Sequence, residues 1–477
     1  MDHNKQFYIN GEWIDSSNGQ SHDVINPATE TACGQITLAS VEDVDNAVKA
    51  AKAAFPAFSK TSREDKLTLI DKIIEVYSAR MDDLIAAVMM EMGSPRMLAA
   101  KAQVPAGLGH FIQIKKVLED FDFGGDLGGA KIIREPVGVC GLITPWNWPL
   151  NQVACKVAPA LAAGCTVVLK PAESTPLCAI AVFKILEAAG FPAGVANLVT
   201  ASDPKPIGDV FCTHPVVRKL TFTGSTAVGK HLAQASAPQL KRVSMELGGH
   251  APFIVYDDAD PVHAAKGVSL VKFLNTGQAC ISPNRIFVQR RILEPFLETL
   301  KSRVDALRAG DGMDPANGIG PLINEAAVEK VDRQVRDAID KGATLLAGGA
   351  RLLDNGLEKG CFYSATLLTD VAPDMLIYRE ETFGPIAAVV PFDDEDDVIA
   401  MANDTHYGLA AYVYTQNLAR ALRAFEQLQF GIIGINDINP TSAAAPFGGM
   451  KESGLGREGA REGIDEYLET KLGGFSI

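Results

Sequence analysis

The chain has 477 residues, enough for about two to three domains, and its 47% hydrophobic and 21% charged residues are typical of a globular protein with a large core. A net charge of −14 argues against nucleic acid and anionic membranes as partners, because both attract clustered Lys and Arg. The sequence begins with no signal peptide and contains no run of eighteen apolar residues, so we expect a cytoplasmic protein.

The middle of the chain alternates short β-rich runs with helical stretches. We predict strand 137–143, helix 152–163, strand 166–169, helix 176–189, strand 196–199, helix 207–211, strand 219–223 and helix 227–235. This order predicts an α/β fold with a doubly wound parallel sheet. Ligands of such sheets bind outside the carboxyl ends of the strands.

The second half of the chain predicts another α/β domain. Its elements are strand 284–289, helices 293–308 and 325–341, and strand 387–391. Glycine pairs at 124–125 and 128–129, followed by the run 131–135, predict a protruding hairpin. A strand-like stretch at 467–471 is a possible partner for that hairpin.

One of the eight cysteines has an unusual context. Cys280 follows Asn-Thr-Gly-Gln-Ala, a small flexible run, whereas Cys165 and Cys178 lie in apolar runs that are typical of structural cysteines. No Cys-x-x-Cys and no His at metal-ligand spacing accompanies any of them, so we expect neither a metal nor a redox pair. Cys280 is therefore a possible nucleophile, and Glu246, in Met-Glu-Leu-Gly-Gly at 245–249, is the possible base. A buried structural thiol is the alternative at this point.

Two segments at predicted carboxyl ends of strands suggest a nucleotide. In Phe-Thr-Gly-Ser-Thr-Ala-Val-Gly at 222–229, Gly224 allows close approach of the backbone, and Ser225 and Thr226 can cap a helix or bind phosphate. The segment lacks the Gly-x-Gly-x-x-Gly fingerprint, so an ordinary capped helix is its alternative. Lys170 and Glu173 can bind a ribose, and Glu173 would repel a 2′-phosphate, which favours NAD over NADP. A surface ion pair explains the same two residues.

Seven motifs, in order along residues 7–471, resemble those of the aldehyde dehydrogenase superfamily. They are Thr-Pro-Trp-Asn-Trp-Pro-Leu at 144–150, Leu-Lys-Pro-Ala-Glu at 169–173, Phe-Thr-Gly-Ser-Thr at 222–226, Met-Glu-Leu-Gly-Gly at 245–249, Gly-Gln-Ala-Cys at 277–280, Glu-Glu-Thr-Phe-Gly-Pro at 380–385 and Pro-Phe-Gly-Gly-Met-Lys-Glu-Ser-Gly at 446–454. The resemblance implies a Rossmann-like dinucleotide-binding domain of residues 1–121 and 137–248, and a second α/β catalytic domain of residues 249–448. Residues 122–136 and 449–477 would form a small β oligomerisation domain, which implies a homodimer or homotetramer.

The resemblance also implies roles for single residues. Cys280 would attack the aldehyde carbon, with the oxyanion held by the Asn147 amide and the Cys280 backbone N–H. Hydride transfer to the nicotinamide would leave a thioester, and Glu246 would activate the water that hydrolyses it. Lys156 matches a lysine that orders the catalytic region. The implied cofactor is NAD, with NADP possible, and the residues assigned to it are Thr144, Trp146, Lys170, Glu173, Gly224, Ser225, Leu247, Glu381 and Phe383.

The substrate side departs from the most similar subgroup. Segments 249–260 and 464–471 resemble succinate semialdehyde dehydrogenases, which carry arginines at the positions occupied here by Cys155 and Leu274. Without them a substrate carboxylate would be left uncompensated, which is costly. We therefore expect an uncharged aromatic or medium-chain aliphatic aldehyde, with succinate semialdehyde or a related semialdehyde as the alternative. The expected contacts are Trp148, Leu274, Ile281 and Phe447.

Two further alternatives belong to other functional classes. An inactive structural member of the superfamily is disfavoured because Cys280, Glu246 and Asn147 are all intact. A hydrolase that uses only the thioester half-reaction is disfavoured because the matched cofactor residues are present. Ser282 replaces a second cysteine that many members of the subgroup carry two residues after the nucleophile, which excludes a regulatory disulfide there.

Overall fold

Two large sheets, each covered by helices on both faces, form the frame of the protein in a computed structural model that describes residues 3–17 and 19–475. Successive strand residues enter different apolar clusters on opposite faces. Val167 and Leu169 belong to one cluster, and Val168 belongs to another. Phe287 and Val288 alternate in the same way in the second sheet. Such double burial is typical of parallel sheets with helical crossovers.

The first half of the chain supplies most of one sheet. Its strands are β1 Gln6–Ile9, β2 Glu12–Asp15, β3 Ser21–Asn26, β4 Thr31–Thr37, β5 Gly124–Leu127, β6 Ala130–Pro136, β7 Val139–Ile143, β8 Thr166–Lys170, β9 Ala196–Leu198, β10 Val217–Thr223 and β11 Arg242–Glu246. Its helices are α1 Val41–Phe58, α2 Arg63–Ala79, α3 Met81–Met92, α4 Arg96–Leu98, α5 Val104–Asp120, α6 Pro149–Ala163, α7 Pro176–Ala188, α8 Pro204–Thr213 and α9 Thr226–Ser236. A π-helical stretch, Ala99–Gln103, joins α4 to α5.

The second half supplies the other sheet and the C-terminal segment. Its strands are β12 Ala251–Val255, β13 Pro283–Gln289, β14 Thr344–Ala347, β15 Thr366–Thr369, β16 Ile386–Phe392, β17 Ala410–Tyr414, β18 Ile432–Ile435, β19 Gly454–Leu455 and β20 Leu468–Gly474. Its helices are α10 Pro261–Phe273, α11 Leu293–Asp305, α12 Glu325–Asp340, α13 Leu376–Arg379, α14 Glu395–Asn403, α15 Leu418–Gln427 and α16 Ala460–Asp465.

The first sheet has the strand order β19-β11-β10-β7-β8-β9-β1-β2. The five central strands, β11, β10, β7, β8 and β9, are parallel to one another. Antiparallel strands lie at both edges of the sheet. The predicted doubly wound sheet is thus confirmed. The parallel register pairs Thr223 with Glu246 and Ile143 with Lys170, so the carboxyl ends of β7, β8, β10 and β11 meet along one edge.

The second sheet has the order β14-β15-β16-β13-β12-β17-β18, with only β14 antiparallel. This confirms the second α/β unit. The register pairs Ala251 with Pro283, so β12 and β13 begin at the same edge. Residues 249–250 and 278–282 lie just before these strands. The loop that carries Cys280 therefore lies at the amino ends of the second sheet's strands.

A separate three-stranded sheet has the order β20-β6-β5. The predicted hairpin is confirmed as β5 and β6, and its expected C-terminal partner is confirmed as β20, which pairs antiparallel from Leu468 opposite Pro136 to Gly474 opposite Ala130. Leu127 and Leu472 on this sheet are 62% and 66% exposed. The short strand β19, from the same C-terminal segment, joins the edge of the first sheet instead. No helix in the described part of the chain is both long and apolar enough to span a membrane.

Candidate active site

The loop that carries Cys280 has an unusual backbone. Asn275, Thr276 and Gly277 have φ angles of 52°, 59° and 74°, a left-handed conformation that costs free energy for residues with a Cβ. A Cβ on Gly277 would lie 2.1 Å from the Gly384 carbonyl oxygen, so only glycine fits there. The prediction that this run of small residues is flexible is wrong, because Asn275, Thr276 and Gln278 are at most 5% exposed. The small residues instead allow close packing.

Hydrogen bonds tie this loop to Asn147, which follows β7. The Asn147 side-chain nitrogen donates to the Gln278 carbonyl over 3.1 Å, and the Asn275 side chain donates to the Asn147 carbonyl over 2.8 Å. Gln103, in the π-helical stretch, donates to the same Asn147 carbonyl over 3.2 Å. An Asn amide has two N–H groups, so Asn147 keeps a second donor. Asn147 and Cys280 line the same cleft.

Glu246, the last residue of β11, is a buried carboxyl group without a partner. It is 3% exposed, and neither of its oxygens accepts a hydrogen bond within the described chain. Burial, followed by the charge of Glu458, raises its pKa well above the usual range, against the opposing charges of Lys156 and Arg457. An unpartnered buried carboxyl group is free to exchange a proton with water or substrate.

The surroundings of the Cys280 thiol favour its protonated form. Burial is the largest cause of its raised pKa, followed by the charges of Glu381 and Glu246. Its own backbone N–H points toward the sulfur and opposes this shift. Because the thiolate is the nucleophile, catalysis requires a base or a change in the surrounding charge.

Lys156 lies behind this site and does not line the cleft. Its ammonium donates to the Thr223 hydroxyl over 2.6 Å and pairs with Glu458, and the Cys155 thiol donates to the other Glu458 oxygen over 3.1 Å. Burial by itself lowers the pKa of Lys156, but Glu458 and then Cys155 outweigh it, so the net shift is upward. Sequence reasoning missed Glu458, which stands among glycines with no periodic pattern to mark it.

The cleft extends from Cys280 along the carboxyl edge of the first sheet. The predicted site residues that line it are Trp146, Asn147, Gly224, Ser225, Leu247, Cys280, Glu381 and Phe383. The lining residues that sequence reasoning missed are Pro145, Gln152, Thr223, Gly248, Ala327, Lys330 and Thr382.

The cleft lining fits a dinucleotide cofactor. A Cβ on Gly224 would lie 2.4 Å from the Phe222 ring, and a Cβ on Gly248 would lie 3.0 Å from a Glu381 carboxylate oxygen. Neither position has room for a side chain, so the backbone of both glycines borders the cleft. Ser225 caps α9 by accepting from the Val228 N–H over 3.4 Å, which leaves the helix N-terminus at the cleft as a place for phosphate.

Two aromatic rings and a carboxyl group form the end of the cleft near Cys280. Trp146 and Phe383 meet edge to face with centroids 5.6 Å apart. Glu381 accepts from the Gly249 N–H over 2.8 Å. Burial raises the Glu381 pKa, whereas the Gly249 hydrogen bond and the charges of Lys330 and Lys272 lower it. A carboxylate held in this way can accept hydrogen bonds from a ribose diol.

Lys170 and Glu173 lie farther along the same sheet edge. Their charged groups are 3.2 Å apart, with Lys170 almost fully buried and Glu173 partly exposed. The Thr144 N–H donates to the Lys170 carbonyl over 3.2 Å, which joins the ends of β7 and β8. Burial lowers the Lys170 pKa, and Glu173 and Asp203 oppose that shift. The ion pair and the position at the ligand edge are both present, so either interpretation of this pair fits the geometry.

The four residues expected to contact substrate are all partly exposed. Ile281 and Phe447 pack with Cys280 against one apolar cluster of the second sheet. Trp148 and Leu274 lie outside that group. Cys155, on α6, borders a small separate cavity together with His110 and Ile114.

Comparisons with known proteins agree with this geometry. Residues 13–472 match the family described as "Aldehyde dehydrogenase family". The chain is 43% identical to 3-succinoylsemialdehyde-pyridine dehydrogenase of Pseudomonas sp, with 98% of both chains covered. It is 42% identical to succinate-semialdehyde dehydrogenase (NADP(+)) of Escherichia coli, covering 98% of this chain and 97% of that one. It is 41% identical to glutarate-semialdehyde dehydrogenase of Pseudomonas aeruginosa, covering 99% and 98%.

A solved structure shows the same fold. Aldehyde dehydrogenase C of Pseudomonas syringae, crystallised as a cysteine-to-alanine mutant with NAD+ and octanal, superposes with a TM-score of 0.95 at 40% identity, over 98% of this chain and 96% of that one. The expected fold class is confirmed. The expectation of a nicotinamide dinucleotide cofactor, NAD or NADP, is also confirmed, because the similar proteins include one named for NADP(+) and one crystallised with NAD+.

We expect iodoacetamide to alkylate Cys280 increasingly fast as the pH rises from about 6 to 9, because a raised pKa keeps the thiol protonated at the lower end. Mass spectrometry of the intact protein measures the rate. Cys280→Ser gives the background from Cys33, the other partly exposed cysteine. In Glu246→Gln one source of the upward shift is removed, so the profile should move to lower pH. A rate that begins to level off by about pH 9, as for an ordinary thiol, would contradict the raised pKa.

Proposed function

The chain belongs to the aldehyde dehydrogenase family, and from that premise we propose that it oxidises an aldehyde to a carboxylic acid through a covalent intermediate on Cys280. One observation carries the proposal. Cys280 lines a cleft with Asn147, whose amide donates to the Gln278 carbonyl of the Cys280 loop. The charge of Glu246, a buried carboxyl group with no hydrogen-bond partner in the described chain, acts on the Cys280 thiol.

The first step is attack of the Cys280 sulfur on the aldehyde carbon, while the thiol proton passes to Glu246. Glu246 releases this proton to solvent before the hydrolysis step. The carbonyl oxygen becomes an oxyanion, which the second N–H of Asn147 and the backbone N–H of Cys280 would stabilise. Such a donor typically lowers the barrier by about 3 to 4 kcal/mol. The left-handed backbone of residues 275–277 fixes the loop before substrate binds, so little reorganisation is needed.

The second stage ends with release of the acid. NAD, when bound in the cleft, supplies the hydride acceptor that converts the thiohemiacetal on Cys280 to a thioester. Glu246 then takes a proton from water, the hydroxyl adds to the thioester carbon, and the Cys280 sulfur leaves. Lys156 and Glu458 lie behind Glu246 and fix the charge around it.

We propose a semialdehyde as the first substrate class. The names of the relatives favour it over the uncharged aldehyde expected from the sequence. A specific observation supports the uncharged aldehyde as the second candidate. Leu274 is apolar, and the Cys155 thiol contacts the Glu458 carboxylate, so neither position offers a cation to a substrate carboxylate.

Replacing Cys280 with Ser should lower the rate of NADH formation at least about a thousandfold, because a serine hydroxyl without an adjacent strong base is a poor nucleophile. NAD binding, followed by quenching of protein fluorescence, should persist. Comparable NADH formation by the variant and the parent would contradict the role of Cys280.

An aldehyde panel separates the two substrate classes. With NAD fixed, we expect kcat/KM for succinate and glutarate semialdehydes to exceed that for hexanal and benzaldehyde. The reverse order would establish the second candidate. In Leu274→Arg a charge-assisted hydrogen bond becomes available to a carboxylate, which should raise kcat/KM for succinate semialdehyde about tenfold and leave hexanal without gain.

The cofactor preference depends on Glu173. We expect a higher kcat/KM with NAD than with NADP, because the Glu173 carboxylate beside Lys170 would repel a 2′-phosphate. Glu173→Gln should raise kcat/KM for NADP at least about threefold, with NAD in the same protein as the internal control. Equal use of NADP and NAD by the parent enzyme would contradict this role.

A further inference from the structure

Lys272, on α10, is a buried cation directly behind the nucleophile loop. Its side chain is 0% exposed, and its ammonium donates over 3.0 Å to the Asn284 side-chain oxygen. Among the ion pairs of residues 3–17 and 19–475, none includes Lys272. An ammonium group buried without a carboxylate partner is destabilising, so its presence calls for a function other than stability.

The contacts of Lys272 lead to the cofactor end of the cleft. The Asn284 side-chain nitrogen lies 3.5 Å from the Gly249 carbonyl, and the Gly249 N–H donates to Glu381 over 2.8 Å. A Cβ on Gly249 would lie 2.1 Å from the Cys280 carbonyl oxygen, so this peptide is also in contact with the nucleophile loop. Glu381 and Cys280 thus contact one residue, Gly249, and Lys272 is linked to the same residue through Asn284.

The charge of Lys272 acts on Glu381. Burial raises the Glu381 pKa, and besides the Gly249 hydrogen bond only the cations Lys330 and Lys272 lower it. Lys330, on α12, has the larger effect of the two and is partly exposed, whereas Lys272 is fully buried. The other titratable groups that face this pair are Cys280, Tyr407 and His250.

We propose that Lys272 is a positioning residue that holds Glu381 in its ionised form, so that Glu381 can accept hydrogen bonds from the ribose hydroxyls of the cofactor. The inference rests on the proposed role of Glu381 in cofactor binding. It is supported by the titration of Lys272 itself, because burial lowers its pKa to about 7 while Glu381 opposes that shift. Lys272 therefore carries its charge at the acidic pH where Glu381 would otherwise take up a proton.

Lys272→Met tests the proposal by NAD binding without aldehyde, followed by quenching of protein fluorescence between about pH 6 and pH 8.5. Without the cation the Glu381 pKa rises further, so the variant should bind NAD about tenfold more weakly at pH 6, the effect of one pKa unit. The difference between the two proteins should shrink toward pH 8.5, where Lys272 of the parent has lost its charge. The thermal midpoint should stay unchanged or rise, because an unpaired buried charge is removed.

Lys266→Met is the matched control on the exposed face of the same helix, and it should leave NAD binding unchanged. Lys272→Gln, which retains a donor for Asn284, should reproduce the pH-dependent loss if charge is the cause. Three outcomes would overturn the proposal. The first is a loss of NAD affinity that is equal at every pH and accompanied by a lowered thermal midpoint. The others are an unchanged NAD affinity and failure of both Lys272 variants to fold. Failure of the parent protein to bind either NAD or NADP would instead overturn the proposed function.

Discussion

The site depends on two places where backbone meets backbone with no room for a side chain. A Cβ on Gly249 would meet the Cys280 carbonyl, and one on Gly277 would meet the Gly384 carbonyl, each at 2.1 Å. These contacts hold the loop that carries Cys280 between the start of β12 and the segment before β16. The loop is then held in a left-handed conformation that it would not adopt alone. The position of the Cys280 sulfur follows from this packing.

The charges around the loop are arranged at the expense of stability. Glu246 has no hydrogen-bond partner in the described chain, and Lys272 has no ion pair there. Burial raises the pKa of Glu246 and lowers that of Lys272, so it favours the uncharged form of each. Lys156, by contrast, is paired with Glu458, and its pKa is raised. A site that must bind and release protons near neutral pH needs unpaired groups such as Glu246 and Lys272. A paired buried charge such as Lys156 keeps the charge around them constant.

Much of the fold follows from local pattern. Apolar runs and helical periodicity predicted β7, β8, β9, β10, β13 and β16 to within about two residues, but not the other strands of the two sheets. Glycine pairs predicted the β5–β6 hairpin. The prediction that residues 275–279 are flexible is wrong for a physical reason. Small polar residues are typical of mobile loops, but the same residues allow the closest packing when neighbouring backbone surrounds them. Sequence composition does not distinguish these two cases.

The sequence by itself determined the fold class, the family and the identity of Cys280, Glu246 and Asn147 as the residues to examine, because burial periodicity and short motifs are local properties. Only the tertiary structure decided which groups surround them. Lys156 meets Glu458 across 302 residues, and Gln103 meets Asn275 across 172. Lys272 has no motif, and its importance comes from the absence of a carboxylate partner in the described chain. Contacts of this kind depend on how the two sheets pack, which no local pattern encodes.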